Sequence, residues 1–127
     1  MAATRPSVAI IGASNDRSKF GNKAVRAFRD VGWDVFPINP SLTEVEGIPA
    51  YPDLAAVPRD RLDRVSLYVP PAVGLRVLDD VARKPVGEVW LNPGTESPEV
   101  LARAEDLGLN VIQECSILAI GRSPGHY

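Results

Sequence analysis

The segment IIGASNDRSKFGNKAV, residues 10–25, has the makings of an anion site: a short β-rich run, a loop of small residues, then a helical pattern. Such a unit exposes backbone N–H groups at a helix N-terminus, where they and the helix dipole favour negative charge. Arg17, Lys19 and Lys23 could cradle a phosphate there or simply solvate a helix start. Gly12 and Gly21 are separated by eight residues, so the spacing is not GxGxxG, and a tight turn with solvated cations accounts for the same residues. No other chemistry is as well supplied. The chain holds one cysteine, Cys115, and one histidine, His126, so no Cys/His cluster has metal-ligand spacing and no Ser/His/Asp order is recognisable. Cys115 reads as a small apolar residue of the interior rather than a reactive thiol. The expectation is a protein without metal or catalytic group, a binding protein and not an enzyme.

A loop of this kind needs a frame. Five short β-rich runs recur, SVAII at 7–11, WDVFPI at 33–38, VSLYV at 65–69, EVWL at 88–91 and NVIQ at 110–113. Helical patterns lie between them at 22–31, 72–83 and 97–107, with a shorter turn near 54–57; Ser97-Pro98 opens the last helix, Gly108 closes it, and Gly32 closes the first. Alternating strands and helices predict an α/β, Rossmann-like three-layer domain around a five-stranded parallel sheet, with strand order 3-2-1-4-5. Ligands of such sheets bind beyond the carboxyl ends of the strands where the order reverses, here expected between strands one and four. Residues 12–21, 39–43, 70–71 and 92–95 converge on that point.

The end of the second strand bears on the ligand. Nicotinamide dinucleotide proteins place an acid there for the ribose, whereas this chain reads Asn39-Pro40-Ser41, with no arginine between that point and Arg59 to meet a 2'-phosphate. Both nicotinamide cofactors are disfavoured. Asn39 and Pro40 offer an amide and a flat ring to a base or ribose, or make a rigid turn. Val69, Pro70 and Pro71 form a stiff apolar shelf, or simply cap a helix. The run LNPGTESPE, 91–99, gives strand four a glycine turn whose free N–H groups face the same crevice, or is simply a turn.

Length and composition bound the rest. At 127 residues, 45% hydrophobic and 24% charged, the chain suits one packed domain, 1–127. Fourteen basic against sixteen acidic residues leave a net charge of −2, which gives nucleic acid no basic footprint. Apolar stretches reach about four residues, far short of a membrane span, and the N-terminus lacks the pattern of a secretory signal, so a cytoplasmic protein is expected. The run RDRLDR at 59–64 is expected to form a solvated face, and Trp33 and Trp90 to lie in or near the core.

Taken in order, IIGAS, FPINP, LYVPP, VWLNPGT and the late Cys115 resemble the small CoA-binding domain proteins and look like the CoA-binding domain of the succinyl-CoA synthetase alpha subunit. The resemblance runs from Ser7 to about Cys115. It implies CoA or an acyl-CoA as ligand, with the pyrophosphate or 3'-phosphoadenosine on Gly12, Ala13, Ser14, Asn15, Arg17 and Ser18. It further implies that Asn39, Pro40, Val69, Pro70, Pro71, Asn92, Pro93 and Gly94 line the adenine and pantetheine path. The synthetase pattern has a lysine just past strand two, where this chain has Ser41, Leu42 and Thr43, so Arg17, Lys19 and Lys23 are the candidate cations for the 3'-phosphate. Residues 116–122 lack the basic, Glu/His-rich tail of many small members. The synthetase's phosphohistidine lies in a second domain without a counterpart in these 127 residues, so its ligase step is not expected. Two further readings stay open: a nicotinamide-binding, oxidoreductase-type domain that takes its catalytic acid from elsewhere, and a regulatory or interaction subunit that docks on an acyl-CoA enzyme or pairs with itself. If Cys115 faced the thiol end of CoA, a mixed disulfide would be possible.

Overall fold

SVAII becomes β1 (Ser7–Ile11), all five residues of which are buried because packed layers cover both faces of the strand. Val8 and Ile10 enter one apolar cluster while Ala9 and Ile11 enter the other, as the two-residue period of a strand requires. The structure, a computed structural model, describes residues 5–127; residues 1–4, which belong to the expected 1–127 domain and to the N-terminus read above for a signal, lie outside the described residues.

After β1 the chain forms α1 (Phe20–Asp30), β2 (Asp34–Ile38), a hairpin of β3 (Glu44–Val45) and β4 (Ile48–Pro49), a 3-10 turn (Leu54–Ala56) and β5 (Leu62–Leu67). It continues through α2 (Pro71–Ala82), β6 (Val86–Leu91), α3 (Pro98–Asp106), β7 (Val111–Ile112) and α4 (Ser116–Ala119), and ends in a 3-10 turn (Pro124–His126). Five strands pair in parallel in the order β2-β1-β5-β6-β7, so the expected α/β, Rossmann-like class with a five-stranded parallel sheet is found. Among the described residues no helix is long and apolar enough to cross a membrane.

The position of the third strand differs from the expected order. β5 inserts between β1 and β6, instead of lying beyond β2. The connection from β2 divides between the two faces: Val45 of the hairpin packs with α1, while Leu54 and Val57, nearer β5, pack with Leu78 and Val81 of α2 and Val100 and Ala104 of α3 on the opposite face. The chain therefore crosses β1 and lands on its far side, and a right-handed crossover allows this. On the other face, Ala24, Val25, Ala27 and Phe28 of α1 pack against Val8, Ile10 and Val35, with Ile117 of α4 beside them. Burying a side chain such as Phe28 or Leu78 contributes roughly 1.5–3 kcal/mol. Because the connections leave β1 and β5 toward opposite faces, the crevice opens between those two strands rather than between strands one and four.

The charged run 59–64 also departs from expectation. Leu62 is fully buried and begins β5, paired with Val86. Arg64 is mostly covered: its guanidinium lies 4.1 Å from the Trp90 ring and 5.0 Å from the Trp33 ring, and pairs with Glu88 at 3.2 Å. Desolvation lowers its pKa from the ordinary arginine value, partly offset by Glu88. Stacking on aromatic faces lets a cation occupy an inward position of a strand. The two tryptophans are at the core as expected, Trp90 buried and Trp33 edge-on to Phe28 at 5.0 Å.

Candidate functional site

Beyond the carboxyl ends of β1, β5 and β6 lies a cleft of about 680 Å³. Its floor begins at Gly12, which a side chain could not replace: φ is +92°, and a Cβ there would stand 2.6 Å from the Tyr68 carbonyl oxygen. Gly21 is equally constrained. A Cβ on it would come within 2.1 Å of the Gly12 carbonyl oxygen, so the first turn of α1 packs directly on the loop that precedes it.

The expected phosphate loop divides into parts with different duties. The amides of Gly12 and Ala13 both donate to the Ile38 carbonyl at 3.2 Å, and Ala13 is buried, so these N–H groups tie β1 to β2 and do not face the cleft. Asn15 and Arg17 point the other way, to the hairpin: Asn15 Nδ2 donates to the Glu44 carbonyl at 3.1 Å, and Arg17 pairs with Glu46 at 3.1 Å. Ser14 Oγ accepts from the Asp16 amide at 3.0 Å, and Asp16 accepts from both the amide and the hydroxyl of Ser18. Those hydrogen bonds hold the exposed Asp16 carboxyl below its usual range. Ser18 and Lys19 do line the cleft.

At Lys19 the loop becomes α1. Lys19 is the N-cap, its side chain makes no cap hydrogen bond, and no acid stands in the first turn. Among the described residues the amides of Phe20 and Gly21 have no protein acceptor, whereas those of Asn22 and Lys23 return to the Lys19 carbonyl. The first-turn donors and the helix dipole are thus open toward the cleft. Lys19 makes no ion pair among the described residues, while Lys23 lies over the Phe20 ring at 5.4 Å.

The opposite wall is apolar. Val69, Pro70 and Pro71 line it as expected, with Pro71 at the first position of α2. Asn92, Pro93 and Gly94 line it too, but the Asn92 side chain is a strut: its Nδ2 donates to Ser66 Oγ and the Leu67 carbonyl, each at 2.8 Å, and its Oδ1 accepts from the Ser116 amide at 2.8 Å. The expected row of free N–H groups after β6 is shortened, since Thr95 N–H returns to the Asn92 carbonyl at 3.0 Å.

Asn39 and Pro40 do not line the cleft. Asn39 Nδ2 donates to the Ala13 carbonyl at 2.9 Å and Oδ1 accepts from the Ser41 amide at 2.8 Å, so the amide expected to meet a base holds the first loop instead. Phe20, Gly21 and Thr95 line the cleft as members of the converging segments 12–21 and 92–95; sequence reasoning missed Tyr68, and it took Cys115 for interior where the structure has it half-buried in the cleft wall. Alternation along VSLYV, 65–69, carries a signal for Tyr68, since it leads from the inward Ser66 to the strand-end position. The Tyr68 phenol is buried without a hydrogen-bond partner, and burial raises its pKa well above the ordinary value; the nearby Ser66 hydroxyl offsets part of this without reaching hydrogen-bonding geometry. Tyr68 is therefore neutral at every physiological pH.

The family model for the CoA binding domain matches residues 6–122. The chain belongs to this family. An ADP-forming acetate–CoA ligase of Methanocaldococcus jannaschii is 36% identical over 89 residues, which are 69% of this chain and 12% of the ligase. A conserved hypothetical protein from Pyrococcus furiosus superposes with a TM-score of 0.81 at 29% identity, over 91% of this chain and 99% of that one. A dinucleotide-forming acetyl-coenzyme A synthetase from Ca. Korarchaeum cryptofilum, in complex with phosphate and ADP, superposes at 0.74 with 30% identity, over 85% of this chain and 25% of that one. The chain thus spans about an eighth of the length of the curated ligase and about the whole length of the small Pyrococcus protein.

Proposed function

We propose that this protein binds CoA or an acyl-CoA in the cleft between β1, β5 and β6, without catalysis of its own. A phosphate group sits at the N-terminus of α1, on the amides of Phe20 and Gly21, with Ser18 and Lys19 beside it. The pantetheine arm runs along Val69, Pro70, Pro71 and Pro93 toward Cys115. The observation that carries this reading is the cleft's division of labour: one polar corner, an uncapped helix start with an unpaired lysine, facing a wall that is otherwise apolar. Phosphate binding needs the corner and a flexible thioester arm suits the wall. Membership of the family points the same way, and Asn39-Pro40-Ser41 after β2 offers no acid to a nicotinamide ribose.

A binding role fits the inventory of reactive groups. The titratable side chains lining the cleft are Lys19, Tyr68 and Cys115, and none of the three hydrogen-bonds to another of them. The relatives named as ligases are several times longer, and we assign to this chain the holding of the coenzyme for an acyl-CoA enzyme or for a second copy, not the ligase reaction. Thermal unfolding with CoA, acetyl-CoA, NAD and NADP tests the ligand class: a ligand at about a hundred times its Kd stabilises by roughly 2.7 kcal/mol. CoA and acetyl-CoA are expected to raise Tm. A rise with NADP and none with CoA would overturn the reading.

A further inference from the structure

The hairpin turn carries the one non-glycine residue with positive φ among the described residues, Glu46 at +52°. A glutamate in the left-handed region is strained where a glycine would not be, so its side chain needs a reason to be there. That side chain is only 15% exposed. One carboxylate oxygen accepts from Arg17 Nη2 at 3.1 Å and the other from Asn22 Nδ2 at 3.0 Å. The Glu46 amide donates to Asn15 Oδ1 at 3.4 Å, and its carbonyl accepts from Arg29 Nη1 at 3.1 Å. Asn22 is fully buried; it also donates to the Ser14 carbonyl at 2.8 Å and accepts from Arg26 Nε at 2.7 Å, while Arg26 Nη2 donates to the Arg17 carbonyl at 3.1 Å. Through Glu46 the hairpin holds residues 14–17 from one side and α1 holds them from the other.

We propose that Glu46 is the positioning residue of the phosphate-receiving loop, and that Arg17 is its strut rather than a cation for the ligand. The inference rests on the CoA reading above. Fixing residues 14–17 fixes the approach to Lys19 and the first turn of α1, and a preorganised anion site binds more tightly than one that must be ordered by its ligand. Arg17, turned to the hairpin, serves the phosphate by holding its loop.

The test is a double-mutant cycle on the full chain with Glu46→Gly, Arg17→Ala and the pair, read by calorimetric titration of CoA and of pantetheine, which lacks phosphate, and by Tm without ligand. Glycine relieves the strain at this φ, so the Glu46→Gly protein keeps its Tm within a few degrees while its CoA affinity falls roughly tenfold. Arg17→Ala gives a similar loss, the double variant is no weaker than either single one, and pantetheine affinity does not move. Glu46→Gln, whose one side-chain oxygen accepts from Asn22 while its amide NH2 faces the Arg17 donor, loses affinity as Arg17→Ala does. A gain in CoA affinity on Glu46→Gly would overturn the proposal, for Arg17 would then be a ligand cation held back by Glu46; additive losses, or an equal loss for pantetheine, would overturn it as well. Wild-type protein that takes no CoA would instead overturn the reading on which this rests, and the positioning role with it.

Discussion

Replacing Gly21 by alanine perturbs the site at one atom. The added Cβ would stand 2.1 Å from the Gly12 carbonyl oxygen and 3.3 Å from Ala13 Cα, both backbone atoms that cannot rotate away. Ordinary contact requires more than 3 Å, so the first turn of α1 must retreat by about 1 Å from the loop. Overpacking of this kind costs roughly 1–3 kcal/mol. For a chain of 127 residues that is a fall in Tm of about 4–12 °C. The helix start that moves is the one proposed to meet phosphate, so CoA affinity falls in addition, by an amount that calorimetric titration separates from the loss of stability. Gly94→Ala is the control: its φ of +92° imposes strain, but nothing lies within 4 Å of the new Cβ, so its Tm should fall less. Gly21→Ala protein with the Tm and CoA affinity of wild type would refute the packing argument.

Three further outcomes follow from the same geometry. Lys19→Ala should weaken CoA more at low salt than at high salt while leaving Tm of the free protein within about 1–2 °C, because an exposed unpaired cation contributes little to folding. Asn92→Leu strands the buried Ser116 amide and the Ser66 hydroxyl and should destabilise by about 2–4 kcal/mol in urea titration. Hydrogen bonds from Asn22 to Glu46 and from the Ser7 amide to Asp63 lower both carboxyl pKa values, so each contributes stability that is complete above the ordinary carboxylate range and lost as pH falls through the depressed folded values. Wild type should therefore lose more stability between pH 5 and pH 3 than Asp63→Asn does, measured by urea midpoints at each pH.

Local pattern was enough for some elements and could not be for others. β1 and α3 are legible because SVAII is a continuous apolar run and Ser97-Pro98 caps a helix, Ser97 Oγ accepting from the Val100 amide at 3.1 Å. Strand order was not legible, since it depends on which face Leu54 and Val57 choose after a connection without a helix. VSLYV marks a strand, but residues 62–64, where β5 begins, hid behind charges: Arg61 and Asp63 pair with each other at 2.7 Å on the surface, while Leu62 and Arg64 turn inward, the latter held beside Trp33 and Trp90 and paired with Glu88. The β3–β4 hairpin was missed because its strands are two residues long and its turn, Glu46-Gly47, has a glutamate where Asn or Asp would signal a turn.

In the site, residue type identified the neighbourhood and hydrogen-bond partners decided the duties. Gly12, Ser18, Lys19, Val69, Pro70, Pro71, Asn92, Pro93 and Gly94 meet at one cleft as their strand-end positions imply. Asn39, Asn15 and Arg17 have the donors a phosphate or base would want, yet Ala13, Glu44 and Glu46 take them, and those partners lie 26, 29 and 29 residues away along the chain. No reading of adjacent residues supplies pairings at that separation.

A crystal grown with CoA decides the central claim most directly. The account expects the diphosphate within hydrogen-bond distance of the Phe20 and Gly21 amides and of Lys19, with the pantetheine arm laid along Pro70 and Pro93 and its sulfur toward Cys115. CoA bound elsewhere on the molecule with this cleft empty, or a nicotinamide nucleotide in its place, would contradict it.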